Sequence, residues 1–179
     1  MPRSNALRAL VAVLRLLLGA VFMFAAWVKL KDPMSRALFA IDLDAYKILP
    51  LKYVQPVAIA LPTAEMVIGA VLVFSAIGVL LRPGNRFWTV CLRLSSLLVC
   101  LSLAIFIGAM AWAKLSGKNI DCGCFGPGEP ISWKTMVRDG SLLAGALFVA
   151  WTAFLPRRKA ASSMLHGSLT PLSHREIAE

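Results

Sequence analysis

Four long apolar stretches constrain the fold of this chain more than any other feature of its sequence. They cover residues 10–28, 56–81, 87–113 and 136–155 and contain few charged side chains. A helix rises about 1.5 Å per residue, so roughly 20 residues are needed to cross about 30 Å of hydrocarbon. All four stretches are close to this length or exceed it. The sequence therefore predicts an all-α integral membrane protein whose four spans form a helix bundle over residues 1–155.

Composition supports a membrane protein and excludes a nucleic-acid-binding class. The 179 residues are 59% hydrophobic and 16% charged, whereas soluble domains are about 45–50% apolar and about 25% charged. The net charge of +10 is not gathered in one basic helix or patch, as contact with nucleic acid would require. Lysine and arginine instead flank the apolar stretches, which is typical of helices that meet lipid headgroups.

The first span is predicted to be retained and to lead into a short surface helix. A cleaved signal peptide is the alternative, but the apolar run of a signal peptide is about 7–15 residues long. This run is longer and ends at Lys29 and Lys31. After Pro33, apolar residues recur at helical spacing, which predicts a short amphipathic helix on the membrane surface. The residues of this apolar face are Met34, Ala37, Leu38 and Ile41.

The distribution of basic residues predicts the orientation of the chain in the membrane. Four crossings place both termini and residues 82–86 on one side, and residues 29–55 and 114–135 on the other. Lysine and arginine are densest at residues 82–86 and 157–159. The positive-inside rule then predicts an inner (plasma) membrane protein with cytoplasmic termini and an extracytoplasmic loop at residues 114–135. The polar tail at residues 156–179 is predicted to be cytoplasmic and disordered.

Charged residues inside the predicted spans indicate a polar site in the membrane. Counted from the predicted helix ends, Arg15 and Glu65 differ in depth by about 6 Å, which two long side chains can bridge. We therefore expect them to pair. Pro62 deprives the carbonyl of Ala58 of its helical donor and adds polarity nearby. Such a pair either fixes how two helices dock or forms a site for a proton or a quinone head group.

The sequence Cys122-Gly123-Cys124 is the clearest candidate for chemistry. A structural zinc site needs four ligands, and no other Cys or His is predicted on this side, so no metal site is expected. A structural disulfide between residues so close in sequence stabilises little. Residues i and i+2 of an extended chain have Cα atoms about 6.6 Å apart, near the upper limit for a disulfide. We therefore favour a redox pair, which the turn from Phe125 and Gly126 onward should present at the membrane surface.

These residues together resemble a known family. The matching residues are Arg15, Leu18, Gly19, Phe22, Lys29, Asp32 and Pro33, then Leu61, Pro62, Glu65 and Gly69, then Asp121, Cys122, Gly123, Cys124, Phe125 and Gly126, and finally Trp133, Arg138 and Asp139. Over residues 10–155 they resemble the DoxX-like membrane proteins, and more specifically the methylamine utilisation protein MauE family. The loop Asp121–Gly126, shaped by Asp121, Gly123, Phe125 and Gly126 around the two cysteines, is the more specific element of this resemblance.

The resemblance implies a four-helix membrane bundle that supports extracytoplasmic thiol–disulfide chemistry. The expected role is disulfide formation in, or maturation of, a periplasmic partner, alongside a thioredoxin-like protein. The chain would then act as a thiol–disulfide oxidoreductase. A quinone near Arg15, Glu65 and Pro62 is one candidate for recharging the cysteine pair. The alternative is a non-enzymatic membrane scaffold or chaperone in which the Cys122–Cys124 loop is a structural turn that docks a partner.

Overall fold

The fold is all-α, as the sequence predicts. The computed structural model describes residues 5–82, 84–118, 120–123 and 130–155. These ranges contain no strand, and an isolated antiparallel bridge joins Asp121 to Pro130. The predicted tail at residues 156–179 lies outside the described residues. The helices are α1 (Asn5–Leu30), α2 (Pro33–Ala45), α3 (Leu51–Leu81), α4 (Arg86–Leu115) and α5 (Trp133–Phe154).

Three helices of the described chain are long and apolar enough to cross a membrane, namely α1 from residue 9, α3 and α4. Large apolar side chains cover their outer surfaces, including Phe24, Trp27, Phe74, Ile105 and Trp112. The chain is therefore a membrane protein in contact with the lipid bilayer. The predicted fourth span corresponds to α5, which carries Lys134, Arg138 and Asp139 in its first two turns and does not meet the same criteria. The four-span bundle stays a prediction.

The predicted surface helix is α2, and its boundaries follow from its first residues. Asp32 is the N-cap and accepts a 2.7 Å hydrogen bond from the backbone N–H of Ser35. Pro33 takes the first helical position, where its missing N–H costs nothing. Side chains of the predicted apolar face point outward, and Met34 and Ile41 are exposed. The opposite face packs against the protein.

Helix α3 begins at Leu51, five residues before the predicted start at Pro56, and both Pro56 and Pro62 lie inside it. The additional turns form a small core with α2, in which Phe39 and Ala40 pack with Val54 and Ala58. The prediction of a later start was wrong because Lys52 and Gln55 interrupt the apolar run without ending the helix.

The most extensive packing joins α1 to α3, which run antiparallel. A Cβ atom built on Gly19 would lie 2.9 Å from the carbonyl oxygen of Gly69, and one built on Gly69 would lie 2.8 Å from the carbonyl oxygen of Gly19. The two backbones therefore approach as closely as glycine allows, which is how membrane helices gain packing energy. Around this contact, the core includes Leu18, Phe22, Leu72, Ala76, Val99 and Leu103.

Helix α5 lies antiparallel to α4 and is held at both of its ends. At its N-terminal end, Ser132 and Thr135 form a capping box. At its C-terminal end, Nε of Arg93 donates to the carbonyl oxygen of Ala153 at 3.0 Å, and Nη2 of Arg15 donates to Oγ1 of Thr152 at 3.3 Å. Cations are favoured there because the last carbonyls of a helix carry its negative dipole end.

Candidate functional site

A buried ion pair joins α1 to α3. Nζ of Lys29 lies 2.9 Å and 3.2 Å from the two carboxylate oxygens of Glu65. The side chains of Lys29 and Glu65 are only 2% and 4% exposed. The same ammonium group lies 4.9 Å from the ring centre of Phe39 and 5.3 Å from that of Phe106. Both charges are thus matched, and aromatic faces complete the surroundings of the cation.

The predicted Arg15–Glu65 pair is wrong, because the helix ends do not lie at a common level. The contact of Gly19 with Gly69 sets the register of the antiparallel helices. The part of α1 opposite Glu65 therefore lies one to two turns after Gly19, and Lys29 reaches back to it because helical side chains tilt toward the N-terminus. Arg15 lies in the other direction and binds Thr152.

A small cavity adjoins the ion pair. It is lined by Val21, Phe22, Ala25, Lys29, Glu65, Leu103, Phe106, Asp139 and Leu142 and has a volume of about 30 Å³. That is room for one or two water molecules, and a quinone site beside Glu65 stays a prediction. Asp139 is 2% exposed and accepts a 2.9 Å hydrogen bond from Nε of Arg138. Pro62, also fully buried in α3, is not among the lining residues.

The second polar region lies where α2 meets the loop of Cys122. This residue is disulfide-bonded and 6% exposed. Its Sγ lies 3.4 Å from Sδ of Met110, and since a disulfide sulfur has no proton to donate, this is a packing contact. The hydroxyl of Tyr46 donates to the carbonyl oxygen of Cys122 at 3.2 Å. Cys122 is therefore held inside the protein, so the prediction that the turn presents both sulfurs at the surface is wrong for this one.

Gly123 brings the loop directly against α2. Its φ of 66° is in the left-handed region that favours glycine. A Cβ atom built there would lie 3.5 Å from Cβ and from Oδ2 of Asp42, and 3.6 Å from the ring of Phe39. The carboxyl group of Asp42 on α2 therefore lies beside the residue that joins the two cysteines, at about the distance that a methyl group would fill. Cys124, Phe125 and Gly126 lie outside the described residues.

The surroundings of Asp42 and Tyr46 raise the pKa values of both side chains, which favours their protonated forms. Burial, and then the negative charge of Asp121, raise the pKa of the Asp42 carboxyl. Burial, helped by the charges of Asp42, Asp121 and Asp139, raises the pKa of Tyr46 to about 12. Tyr46 is thus a hydrogen-bond donor at neutral pH. Nζ of Lys118 binds the carbonyl oxygen of Tyr46 at 2.8 Å and ties the end of α4 to the same region.

Sequence reasoning missed Lys29, Asp42, Tyr46 and Met110 as neighbours of the predicted site residues. For Lys29 a signal existed, because it follows Phe22 and the buried Ala25 and Ala26 at helical spacing, yet it was taken for a flanking charge. The contact of Tyr46 with Cys122 joins residues 76 positions apart, and no local pattern announces such a contact. Among the described residues, no group of three or more His, Cys, Asp and Glu side chains is arranged to hold a metal ion.

Comparison with known proteins identifies the family. The family model described as methylamine utilisation protein MauE matches residues 7–152, which include all three candidate spans, most of α5 and the cysteine loop. Searches of curated proteins and of solved structures gave no significant match. Because the family model matches most of the chain, the chain belongs to the MauE family.

Proposed function

We propose that this membrane protein exchanges a disulfide with a partner protein through Cys122 and Cys124. The observation that carries the proposal is the disulfide bond of Cys122, next to a glycine that faces the half-buried carboxyl of Asp42. Exchange moves protons as well as electrons, and a titratable carboxyl beside a disulfide suits it. In this role the protein is a thiol–disulfide oxidoreductase. Its partner is a thioredoxin-like protein or a secreted protein. The exchange forms the disulfides of this partner or completes its maturation.

The same proposal includes an arrangement in the membrane. Helix α5 serves as the fourth crossing, since it lies antiparallel to α4 and is uncharged from Gly140 to its end. Both termini and the basic segment Arg82–Arg86 then lie in the cytoplasm of an inner-membrane protein. The loop of Cys122 and the helix α2 lie together on the extracytoplasmic side, where disulfides persist. Their contact through Tyr46 supports this common placement.

The family description adds a process to the proposal. It associates the family with methylamine utilisation. The partner that we propose would be an extracytoplasmic protein that serves this process and needs its disulfides formed correctly.

One observation favours a second candidate function, that of a non-enzymatic scaffold or chaperone. Cys122 is buried, contacts Met110 and is held by the hydroxyl of Tyr46. A cysteine anchored in this way would also serve as a rigid structural turn that docks a partner without exchanging electrons. The two functions differ in whether the disulfide opens under mild reduction.

The first experiment is thiol alkylation of the protein in intact membranes, with and without dithiothreitol, by a membrane-impermeant reagent. The redox function predicts a disulfide that opens with dithiothreitol and releases a thiol that the reagent then labels from the extracytoplasmic side. Thiols that are always reduced, or a disulfide that resists dithiothreitol, would instead support the scaffold.

The second experiment replaces both cysteines. Cys122→Ser with Cys124→Ser is expected to abolish oxidation of a dithiol partner and, under the scaffold hypothesis, to leave partner binding intact. The matched control is Cys91→Ala with Cys100→Ala, because these cysteines are free and lie within α4. This control should retain full activity, measured as disulfide formation in a reduced thioredoxin-like protein.

A further inference from the structure

Asp42, in the last turn of helix α2, and Tyr46, which caps the C-terminus of that helix, both face the cysteine loop. They are four positions apart, and Tyr46 still has helical backbone angles, so the two side chains lie on the same side. Tyr46 donates to the carbonyl oxygen of Cys122, and Asp42 lies beside Gly123. The hydroxyl of Tyr46 thus holds the loop at Cys122, and the carboxyl of Asp42 faces it at Gly123.

We propose that Asp42 is the acid–base group of this site and that it exchanges a proton with the sulfur of Cys122. This inference rests on the proposed function and deepens it. The geometry that supports it is the position of the carboxyl beside Gly123, the residue between the two cysteines. Its surroundings also support it, because burial and the neighbouring charge of Asp121 raise the pKa of Asp42 above its ordinary value.

The burial of Cys122 determines the order of the steps. Cys122 is 6% exposed as a residue and its sulfur contacts Met110, so an incoming thiolate attacks the other sulfur of the disulfide. A bond forms between that sulfur and the partner, the bond to Cys122 breaks, and Cys122 leaves as a thiolate. An apolar environment disfavours this anion. Asp42 therefore gives it a proton.

The second half of the exchange returns the proton. The remaining thiol of the partner loses its proton to the Asp42 carboxylate and attacks the mixed disulfide. The partner leaves oxidised to a disulfide, and the second cysteine leaves as a thiolate that takes up the proton lost by the first partner thiol. The net result is that the cysteine pair gains two electrons and two protons from the partner dithiol.

Charged groups of several elements lie around Asp42 and Tyr46. Asp121 of the loop raises the pKa of Asp42, and Asp139 of α5 contributes to the raised pKa of Tyr46. The cation of Lys118 is held at the carbonyl of Tyr46. Lys29 of α1, whose ammonium lies 4.9 Å from the ring centre of Phe39, is paired with Glu65 of α3.

The test is the pH dependence of disulfide reduction in the purified full-length protein, with dithiothreitol as the probe. The rate of reduction is measured by alkylation of the peptide that carries residues 122 and 124. It is then divided by the fraction of the reagent that is present as thiolate. The normalised rate constant should be high below the pKa of Asp42 and should fall as the pH rises through it. Asp42→Asn should remove this dependence and slow the reaction below that pKa by about 10²-fold, the low end of general acid catalysis.

Matched variants separate a proton-transfer role from a structural one. Asp44→Asn removes a different carboxyl from the same helix, one that is paired with Lys47. This variant should keep the wild-type dependence of the rate on pH. Asp42→Glu should keep the pH dependence. Asp121→Asn should move its midpoint to lower pH, because it removes a like charge. The comparison of Asp42→Glu and Asp121→Asn with wild type decides the question if the Asn variant at position 42 does not fold.

Three results would overturn the inference. A wild-type disulfide that opens with a flat normalised profile, or an Asp42→Asn profile equal to that of wild type, would remove Asp42 from the mechanism and leave the proposed exchange standing. A wild-type disulfide that dithiothreitol does not open would overturn the proposed function itself, and the role of Asp42 with it.

Discussion

The two polar regions of this protein hold carboxyl groups in opposite circumstances. In the interior, Glu65 is paired with Lys29 at 2.9 Å, and both side chains are almost fully buried. At the cysteine loop, Asp42 instead has a second carboxyl, Asp121, as its charged neighbour, and its pKa is raised. Paired buried charges fix how elements dock, whereas a carboxyl made easier to protonate is suited to proton transfer. Under the proposed function, depth in the membrane alone therefore does not mark the site of the chemistry.

The largest expected effect breaks the interior pair. Lys29→Met or Glu65→Leu alone leaves one charge buried without its partner, which typically costs about 3–5 kcal/mol. We expect either variant to lower the free energy of unfolding in mixed micelles by about this amount. The double variant removes both charges and should recover most of the loss, because well-packed apolar residues often replace a buried pair at little cost.

The same variants sharpen the comparison with the cysteine loop. If the pair has only a structural role, the folded double variant should exchange disulfides at the wild-type rate. A double variant that is stable but inactive would show that the ion pair takes part in the chemistry, contrary to the distinction drawn here.

A smaller effect is expected where α1 and α3 touch through glycine. Gly69→Ala would place a methyl group 2.8 Å from the carbonyl oxygen of Gly19, and the backbones would have to separate. Overpacking of this kind costs about 1–3 kcal/mol, measured as a loss of unfolding free energy. Gly108→Ala is the matched control, because a Cβ atom there has no neighbour within 4 Å and alanine favours a helix. Equal losses in both variants would contradict the close approach of α1 and α3.

The helices could be predicted from the sequence, but their register could not. Apolar length and the Lys31-Asp32-Pro33 signal gave the order of the elements, including α2. Counting residues from the predicted helix ends gave the wrong partner for Glu65. The reason is that α3 extends past the end of α1, so the contact of Gly19 with Gly69 decides which residues lie opposite each other. Of the loop, the sequence identified Cys122 and Gly123 but neither Tyr46 nor Asp42, because contacts between distant segments leave no local pattern.

The contact of Tyr46 with Cys122 allows a third prediction. Tyr46→Phe removes the hydroxyl that donates to the carbonyl oxygen of Cys122 and should lower the unfolding free energy by about 0.5–1.5 kcal/mol. It should also make Cys122 more accessible, so that alkylation after reduction becomes faster. Tyr53→Phe is the control, because Tyr53 is about half exposed and should change neither quantity. An unchanged labelling rate in the Tyr46 variant would mean that this hydroxyl does not anchor the loop.

The smallest expected effect concerns the stability contributed by Asp42 as the pH changes. Its pKa is raised in the folded state, so between the ordinary value of 3.8 and the raised value the folded protein binds more protons than the unfolded chain. Stability therefore falls as the pH rises through this window. Asp42→Asn should be more stable than wild type at pH 7, by less than about 1 kcal/mol for a partly exposed charge, and should equal it below the ordinary pKa.

This prediction connects the stability of the loop with its function. Asp44→Asn should show no such gain, because Asp44 is paired with Lys47. A variant at position 42 that is more stable yet slower in exchange would follow the usual trade-off at active sites, where a group placed for chemistry destabilises the fold. An Asp42→Asn protein that is no more stable than wild type at pH 7 would mean that Asp42 is already well accommodated as an anion. The carboxyl would then resemble Glu65 in the interior, and the difference between the two regions would disappear.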